Sequence, residues 1–398
     1  MAEVLMEITK DQLETGLRGV PVGYCTTSSV DPKTGLFYVG KSVSELSSWE
    51  PERAIYLLYY GKEGTVEDIK SFTKELAKRA SCKPETLQRI RSLPRSGHPM
   101  KLFCAALLIA GMLEGKNNYR EDCLNLIAKI PEIAATVINY HAGWPVVSNS
   151  KPELGYMGNF VHLLNPPLDN REQLTRIFKL FNVLHYDHGG GNLSTFVAKA
   201  VASGLEDMYG SICAGMCALA GPRHGKANQD CLEFVEQILS ELGGKPTENQ
   251  VEDLIRKRLA NNELVYGFGH AVLRVEDPRA TVLYKVADEL FPNHPLCIIA
   301  HQLRHVGPKV LGENPKITNP FPNVDAISGV LLTAAGFPYP EYFTVLFGLS
   351  RTVGIAMQIV YERCEARGGK GTPIVRPKYL YKNREELSDM KPEEPAKS

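Results

Sequence analysis

Between Val265 and Arg279 the chain reads VYGFGHAVLRVEDPR, which places one histidine, two arginines and two glycines within fifteen residues. Gly267 and Gly269 remove the Cβ atoms on either side of Phe268, so the backbone can bend sharply and a ligand can come close to the amides of Val265, Tyr266 and Phe268. His270 stands at the exit of that bend. Arg274 and Arg279 follow at spacings that let both guanidiniums converge on one anion, with Asp277-Pro278 interrupting regular helix just before Arg279. A glycine loop with a hydrogen-bonded histidine and two solvated arginines accounts for this stretch alone equally well.

Four further clusters share its character: His185-Tyr186-Asp187-His188 before three glycines and Asn192, the run AGPRHGKANQ around His224, Asn323-Val324-Asp325-Ala326, and the pair Arg351 and Arg376. Each sets an ionisable group beside glycine, proline or a short polar residue. His188 with His185 and Asp187 has the ligand types of a metal site, but the three glycines that follow favour close backbone approach over a closed cage. Cys213 and Cys217 share a helix face at a spacing that could also hold a metal. Their apolar neighbours make core thiols the better reading.

A chain of 398 residues exceeds what one compact core usually holds, so two domains are expected. Forty-five basic and forty-five acidic side chains cancel, which argues against a nucleic-acid or membrane-surface protein and leaves any anionic ligand to a local cluster. The longest strongly apolar run read from the sequence, 103–113, is too short to cross a bilayer. Nine scattered cysteines with no Cys-x-x-Cys, in a chain without export features, are expected to be reduced.

The elements that must carry these clusters are mainly α-helical. A small N-terminal hairpin is expected from Val20–Cys25 and Leu36–Val39 around the turn Asp31–Gly35. Helical periodicity starts near Glu52. Thr65 opens a helix with Ile69, Phe72 and Leu76 on one face, Pro84 and Pro99 open others, and Pro131 is expected to end one helix and begin the next. The runs from Pro99 to Leu113 and from Ile212 to Ala220 must be buried on nearly every side. Leu232, Val235, Ile238, Leu239 and Leu242 form a stripe stopped by Gly243-Gly244, and Thr247 with Gln250 is a capping-box pattern. The segment 383–398 reads as a solvated tail. A large helical domain over 1–226 and 337–398, with a smaller helical one over 227–336, is the expected organisation.

The motifs DHGGGN, AGPRHGKANQ, YGFGHAVLR-x-x-DPR, PNVDA-x-SG and LFGLSR, in that order, resemble those of citrate synthases over essentially the whole chain. The resemblance implies a mainly α, two-domain homodimer that condenses acetyl-CoA with oxaloacetate and hydrolyses citryl-CoA, with no metal or bound cofactor. It implies that His224 holds the thioester carbonyl, Asp325 removes a methyl proton and His270 polarises the ketone. It assigns the substrate carboxylates to His188, Arg279, Arg351 and Arg376, the last reaching the neighbouring subunit's site. CoA phosphates fall to Arg18 and Arg274, and adenine to the backbone of Val265, Tyr266, Gly267, Phe268 and Gly269. The chain departs from the family at Gly189, where many relatives carry glutamate, at Ile327, where some carry histidine, and in 140–150, which lacks an arginine that some supply to CoA.

The chemistry asks for these residue types. A thioester α-proton is too weakly acidic for a carboxylate to take outright, so the enolate oxygen needs a neutral donor. Gly221-Pro222 suggests a helix beginning there, whose positive end would keep His224 neutral. Asp325 must be partly desolvated to gain basicity, although it could also serve as a helix N-cap. Gly225 and Gly336 are candidate hinges for closure over oxaloacetate. The rivals are a 2-methylcitrate synthase acting on propionyl-CoA, a catalytically silent CoA-binding or scaffold protein of the same fold, and a citryl-CoA cleaving enzyme. Neither nucleic acid nor membrane is an expected partner. A cytoplasmic location is expected, or the mitochondrial matrix if the chain is a processed form.

Overall fold

The computed structural model describes residues 4–147, 149–167 and 171–384. A three-stranded antiparallel ribbon, β1 (Ser28–Asp31), β2 (Gly35–Tyr38) and β3 (Lys41–Ser42), precedes a helical body. The helices are α1 (Val43–Leu46), α2 (Pro51–Tyr60), α3 (Val66–Arg79), α4 (Pro84–Ile90), α5 (Pro99–Glu114), α6 (Tyr119–Ala142), α7 (Tyr156–Leu163), α8 (Arg171–Leu184), α9 (Leu193–Ser203), α10 (Met208–Leu219), α11 (Ala227–Leu242), α12 (Glu248–Ala260), α13 (Pro278–Leu290), α14 (Pro295–Gly312), α15 (Asp325–Ala334) and α16 (Phe343–Val360). The mainly α class therefore holds. From residue 385 on, the charged tail lies outside the described residues.

Local chemistry explains most of the boundaries. Proline opens α2, α4, α5, α13 and α14 at a position where its missing amide hydrogen would have had no intrahelical partner. Thr65 and Thr247 form reciprocal capping boxes with Asp68 and Gln250. The ribbon differs from expectation. Asp31 Oδ1 accepts from the amides of Lys33 and Thr34, fixing the expected turn, but the strand before it is Ser28–Asp31. Val22 and Tyr24 remain exposed, so nothing holds Val20–Cys25 in a sheet.

Pro131 does not divide its helix: α6 runs through it without a break. A proline there deprives the carbonyl of Ile127 of its helical donor, and the buried hydroxyl of Tyr156 supplies one at 2.9 Å. The helical stretch Pro340–Glu365, which contains α16, is long and apolar enough to cross a membrane by composition, yet its most apolar part is 94% buried inside the fold. Helix α16 is the core helix, packed by α6, α8, α9 and α10. Helices α11 to α15 pack chiefly on one another, with α15 also meeting α8 and α11 meeting α16.

Candidate active site

The loop after α12 and the start of α15 are joined by one asparagine. Asn323 donates its amide to Gly267 O at 2.9 Å and its Nδ2 to Gly269 O at 3.0 Å, while its Oδ1 accepts from Asp325 N at 3.0 Å. Phe268 pairs with Pro322 as an isolated antiparallel bridge. Gly267 has φ of +85°, and a Cβ there would lie 2.9 Å from both Ala326 Cα and Cys231 Sγ, so no other residue fits without displacing α15. Loop and helix are thus one unit carrying His270 and Asp325.

His270 Nδ1 accepts from the amides of Val272 and Leu273 at 3.0 and 2.9 Å. A nitrogen receiving two N–H groups carries no proton, which puts the imidazole proton on Nε2. Burial, reinforced by the charge of Arg279, lowers His270 to about 4. It is a neutral Nε2–H donor at physiological pH.

The glycine-rich turn after α8 supplies the opposing wall. The His188 ring lies 5.1 Å from that of His270, and its buried Nε2 has no hydrogen-bond partner among the described residues. Burial and then the charges of Arg279 and Arg351 hold His188 well below the usual imidazole range. Asp187 anchors this turn: its carboxylate accepts from Thr27, Ser28 and Gln358, and Oδ1 accepts from the amide of His188. Lys199 braces Gln358 and is paired in turn with Glu362 at 3.0 Å. The metal alternative is not built, because the carboxylate is engaged by protein donors and His185 Nδ1 bonds Phe181 O.

Both arginines below the rings are buried, Arg279 at 4% and Arg351 at 1% exposure. Arg279 is held on Asp277 through Nε and Nη2, at 3.1 and 2.7 Å. Arg351, within α16, donates Nε to His185 O and stacks on Phe347, while its buried Nη1 has no hydrogen-bond partner among the described residues. Burial lowers its pKa to about 10. Tyr38 lies fully buried and close enough to be influenced by both guanidiniums.

His224 occupies the turn between α10 and α11, with Gly225 N bonded to Leu219 O. The expected helix start at Gly221 is absent; α11 begins at Ala227. Neutrality has a different source, since burial and then Arg351 lower His224 to about 4. Its Nε2 lies 3.0 Å from Ser194 Oγ. Asp325 is not an N-cap either: it is the first residue of α15, after Val324, and its own amide is capped by Asn323. Burial raises its carboxyl to about 6 against the opposing pull of Arg279.

Arg279 acts on His188, His270 and Asp325, and Arg351 on His188 and His224, so four of the expected residues gather around the two expected guanidiniums. Arg18, Arg274 and Arg376 are exposed. Arg274 turns back, Nη1 reaching the carbonyls of His270, Val272 and Leu273, so it does not converge with Arg279 on one anion. The sequence reading gave no role to Tyr38, Ser194, Phe347 or Gln358, and treated Asp277 only as a helix breaker. An acidic residue two before a buried arginine was the available signal for Asp277.

A helical fold that collects one carboxylate of raised basicity, three neutral imidazoles and two buried guanidiniums defines an acid–base site for an anionic substrate. The chain belongs to the citrate synthase family: the family model described as "Citrate synthase, C-terminal domain" matches residues 16–378. It is 36% identical to the mitochondrial citrate synthase of Citrus maxima over 400 residues, covering 94% of this chain and 83% of that protein. A probable mitochondrial citrate synthase of Glossina morsitans morsitans is 34% identical over 399 residues, at 94% and 84% coverage. Among solved structures, citrate synthase of Thermotoga maritima superposes with a TM-score of 0.78 at 28% identity, covering 93% of this chain and 95% of that one. That of Thermoplasma acidophilum, a ternary complex with carboxymethyl coenzyme A and oxaloacetate, gives 0.79 at 26% identity, with 92% and 95% covered.

Proposed function

We propose that this chain condenses acetyl-CoA with oxaloacetate and hydrolyses the resulting citryl-CoA to citrate and CoA. The observation that carries the reading is the pairing of a carboxyl raised to about 6, Asp325, with two imidazoles held neutral, His224 and His270. Asp325 takes a methyl proton while His224 donates to the thioester oxygen on which enolate charge develops. Ser194 sets the tautomer: with its hydroxyl donating a hydrogen bond to Nε2, His224 carries its own proton on Nδ1 and donates from there. The enolate carbon then bonds the ketone carbon of oxaloacetate as His270 Nε2–H stabilises the ketone oxygen.

His188, Arg279 and Arg351 bind the carboxylates, and the bare His188 Nε2 and Arg351 Nη1 are the groups a ligand satisfies. The 265–269 backbone takes adenine, and Arg18 and Arg274 take CoA phosphates. No metal or bound cofactor is required, since each proton and charge has a protein group to meet it. The mutual packing of α11 to α15 supports a small domain over 227–336 that closes on the rest once oxaloacetate is bound. Arg376 stands exposed in the stretch 372–383, which has no regular secondary structure, and this supports a homodimer in which it serves the neighbouring site. The relatives named mitochondrial support the matrix as location.

Free-thiol release from purified protein with both substrates tests the reading; no thiol would end it. Comparing kcat/KM for acetyl-CoA and propionyl-CoA tests the substrate, because one methylene is worth only about 1–3 kcal/mol in an apolar pocket.

A further inference from the structure

The turn after α8 that presents His188 rests on a buried line of polar groups, none of which is proposed to touch substrate. Gln358 Nε2 donates to both oxygens of Asp187, at 2.9 and 3.1 Å, and Gln358 Oε1 accepts from Lys199 Nζ at 3.3 Å. Lys199 is paired in turn with Glu362 at 3.0 Å. Three parts of the chain meet there: the turn itself, α9 with Lys199, and the end of α16 with the π-helical turn Tyr361–Glu365 that follows it. We propose that Lys199 is a positioning residue for oxaloacetate binding, which fixes the place of His188 Nε2 through Gln358 and Asp187. The proposal rests on the reading above that His188 binds a substrate carboxylate.

The donor and acceptor types leave one arrangement. An ammonium donates and cannot accept, and a carboxylate accepts and cannot donate, so an amide between them turns its oxygen to Lys199 and its NH2 to Asp187. Without Lys199 the amide loses the partner that sets this orientation, and its turned-over form puts oxygen against carboxylate. The groups that donate to Asp187 are neutral, namely the hydroxyls of Thr27 and Ser28, the Gln358 amide and the backbone N–H of His188. The charge of Lys199 therefore reaches the carboxylate through a polarised amide. Asp187 Oδ1 accepts from both Gln358 Nε2 and His188 N, so a shift in one bond acts on the other. The turn also lies directly on the Lys199–Gln358 contact: a Cβ at Gly190 would come within 3.0 Å of Lys199 Nζ and 3.3 Å of Gln358 Oε1. Lys199 is 8% exposed, which leaves little room for water to take its place. Every group in the line belongs to one chain, so the line does not depend on what covers the surface.

The test measures oxaloacetate affinity by calorimetry on the full-length protein without acetyl-CoA. Lys199→Met combined with Glu362→Gln removes the ion pair without stranding either charge, which keeps the fold. The combination is expected to weaken oxaloacetate binding by roughly 10- to 100-fold, the scale of a binding group displaced by up to about 1 Å, and to leave the acetyl-CoA KM as it is. Lys199→Arg, which keeps donors and adds no acceptor, is expected to bind as the parent does. The same combination is then placed in a His188→Ala background, where His188→Ala has itself weakened binding. No further loss is expected there, because a residue that acts through His188 has nothing left to position. A merely structural role would give the same loss in both backgrounds. Parent-like affinity in the combination, an equal loss with and without His188, or a loss in Lys199→Arg as large as in the combination would overturn the proposal alone. Unchanged affinity in His188→Ala would overturn the carboxylate reading and the proposal with it.

Discussion

The two groups of arginines in this molecule solve opposite problems. Arg279 and Arg351 are 4% and 1% exposed and fixed on elements of the core, whereas Arg18, Arg274 and Arg376 lie in solvent. Burial stiffens a charge and strengthens its field, at the cost of desolvation during folding; exposure leaves the charge hydrated until an anion reaches it. The buried pair is further divided. Arg279 has Asp277 as counterion, and although burial works against its charge the carboxylate keeps its pKa raised. Arg351 has only a carbonyl, an aromatic face and an unpartnered Nη1. A rigid, preplaced floor suits a small dicarboxylate, and solvated outer charges suit a long coenzyme.

The largest effect separates both arginine groups from the acid–base group they surround. Asp325→Asn is expected to lower kcat by roughly 10²–10⁴-fold with little change in either KM, checked by steady-state kinetics. The same variant is expected to be more stable. A carboxyl whose folded pKa is raised to about 6 holds its proton more tightly folded than unfolded, so stability declines as pH rises from 3.8 to about 6. That loss amounts to about 3 kcal/mol at neutral pH as an upper bound, and denaturation at pH 7 measures how much the amide recovers. In the parent enzyme kcat is expected to fall as pH drops through about 6, since the base must be ionised. The two imidazoles, lowered to about 4, do not titrate in that range.

Within the buried pair, Arg279→Met and Arg351→Met are both expected to raise the oxaloacetate KM by roughly 100-fold, within the 2–5 kcal/mol lost when a buried charge loses its partner. Their stabilities should diverge. Removing Arg279 strands the carboxylate of Asp277, at 1% exposure, and is expected to cost roughly 3–5 kcal/mol. Removing Arg351 strands only the carbonyl of His185 and is expected to cost about 1 kcal/mol. Urea denaturation of the two variants compares them directly, and equal losses would mean that the Asp277 pair does not distinguish them.

The same division explains what could be read from the sequence. The candidate site residues appeared as ionisable groups beside glycine, proline or a short polar residue, and six of them do gather: His188, His224, His270, Arg279, Asp325 and Arg351. Groups whose role comes from partners distant along the chain carried no local mark. Tyr38 and Ser194 look like ordinary ribbon and helix residues, and the line from Asp187 through Gln358 to Lys199 joins segments that only the fold brings together. Helix boundaries set by proline and capping boxes were legible because the cause is local. The unbroken α6 was not, because the hydroxyl that rescues Ile127 O belongs to Tyr156 on α7. The neutrality of His224 was anticipated for the wrong reason. Burial and Arg351 do what a helix end was expected to do, and burial is a property of the whole fold.

The smallest effect belongs to the exposed group and is the one that tests the comparison from its other side. Arg274 now spends Nη1 on three carbonyls of its own loop, so a coenzyme phosphate must compete with those bonds as well as with water. Its net gain on binding should resemble that of a surface ion pair, up to about 1 kcal/mol. Arg274→Ala is therefore expected to raise the acetyl-CoA KM by about fivefold, leave the oxaloacetate KM unchanged and barely move the melting temperature. Added salt should raise the parent's acetyl-CoA KM more than the variant's, because the lost charge is the one that salt screens. The oxaloacetate KM of the parent should respond less, its arginines being buried. If Arg274→Ala instead raised both constants together, the carbonyl clamp would be holding His270 in place, and Arg274 would have to be grouped with the buried arginines despite its exposure.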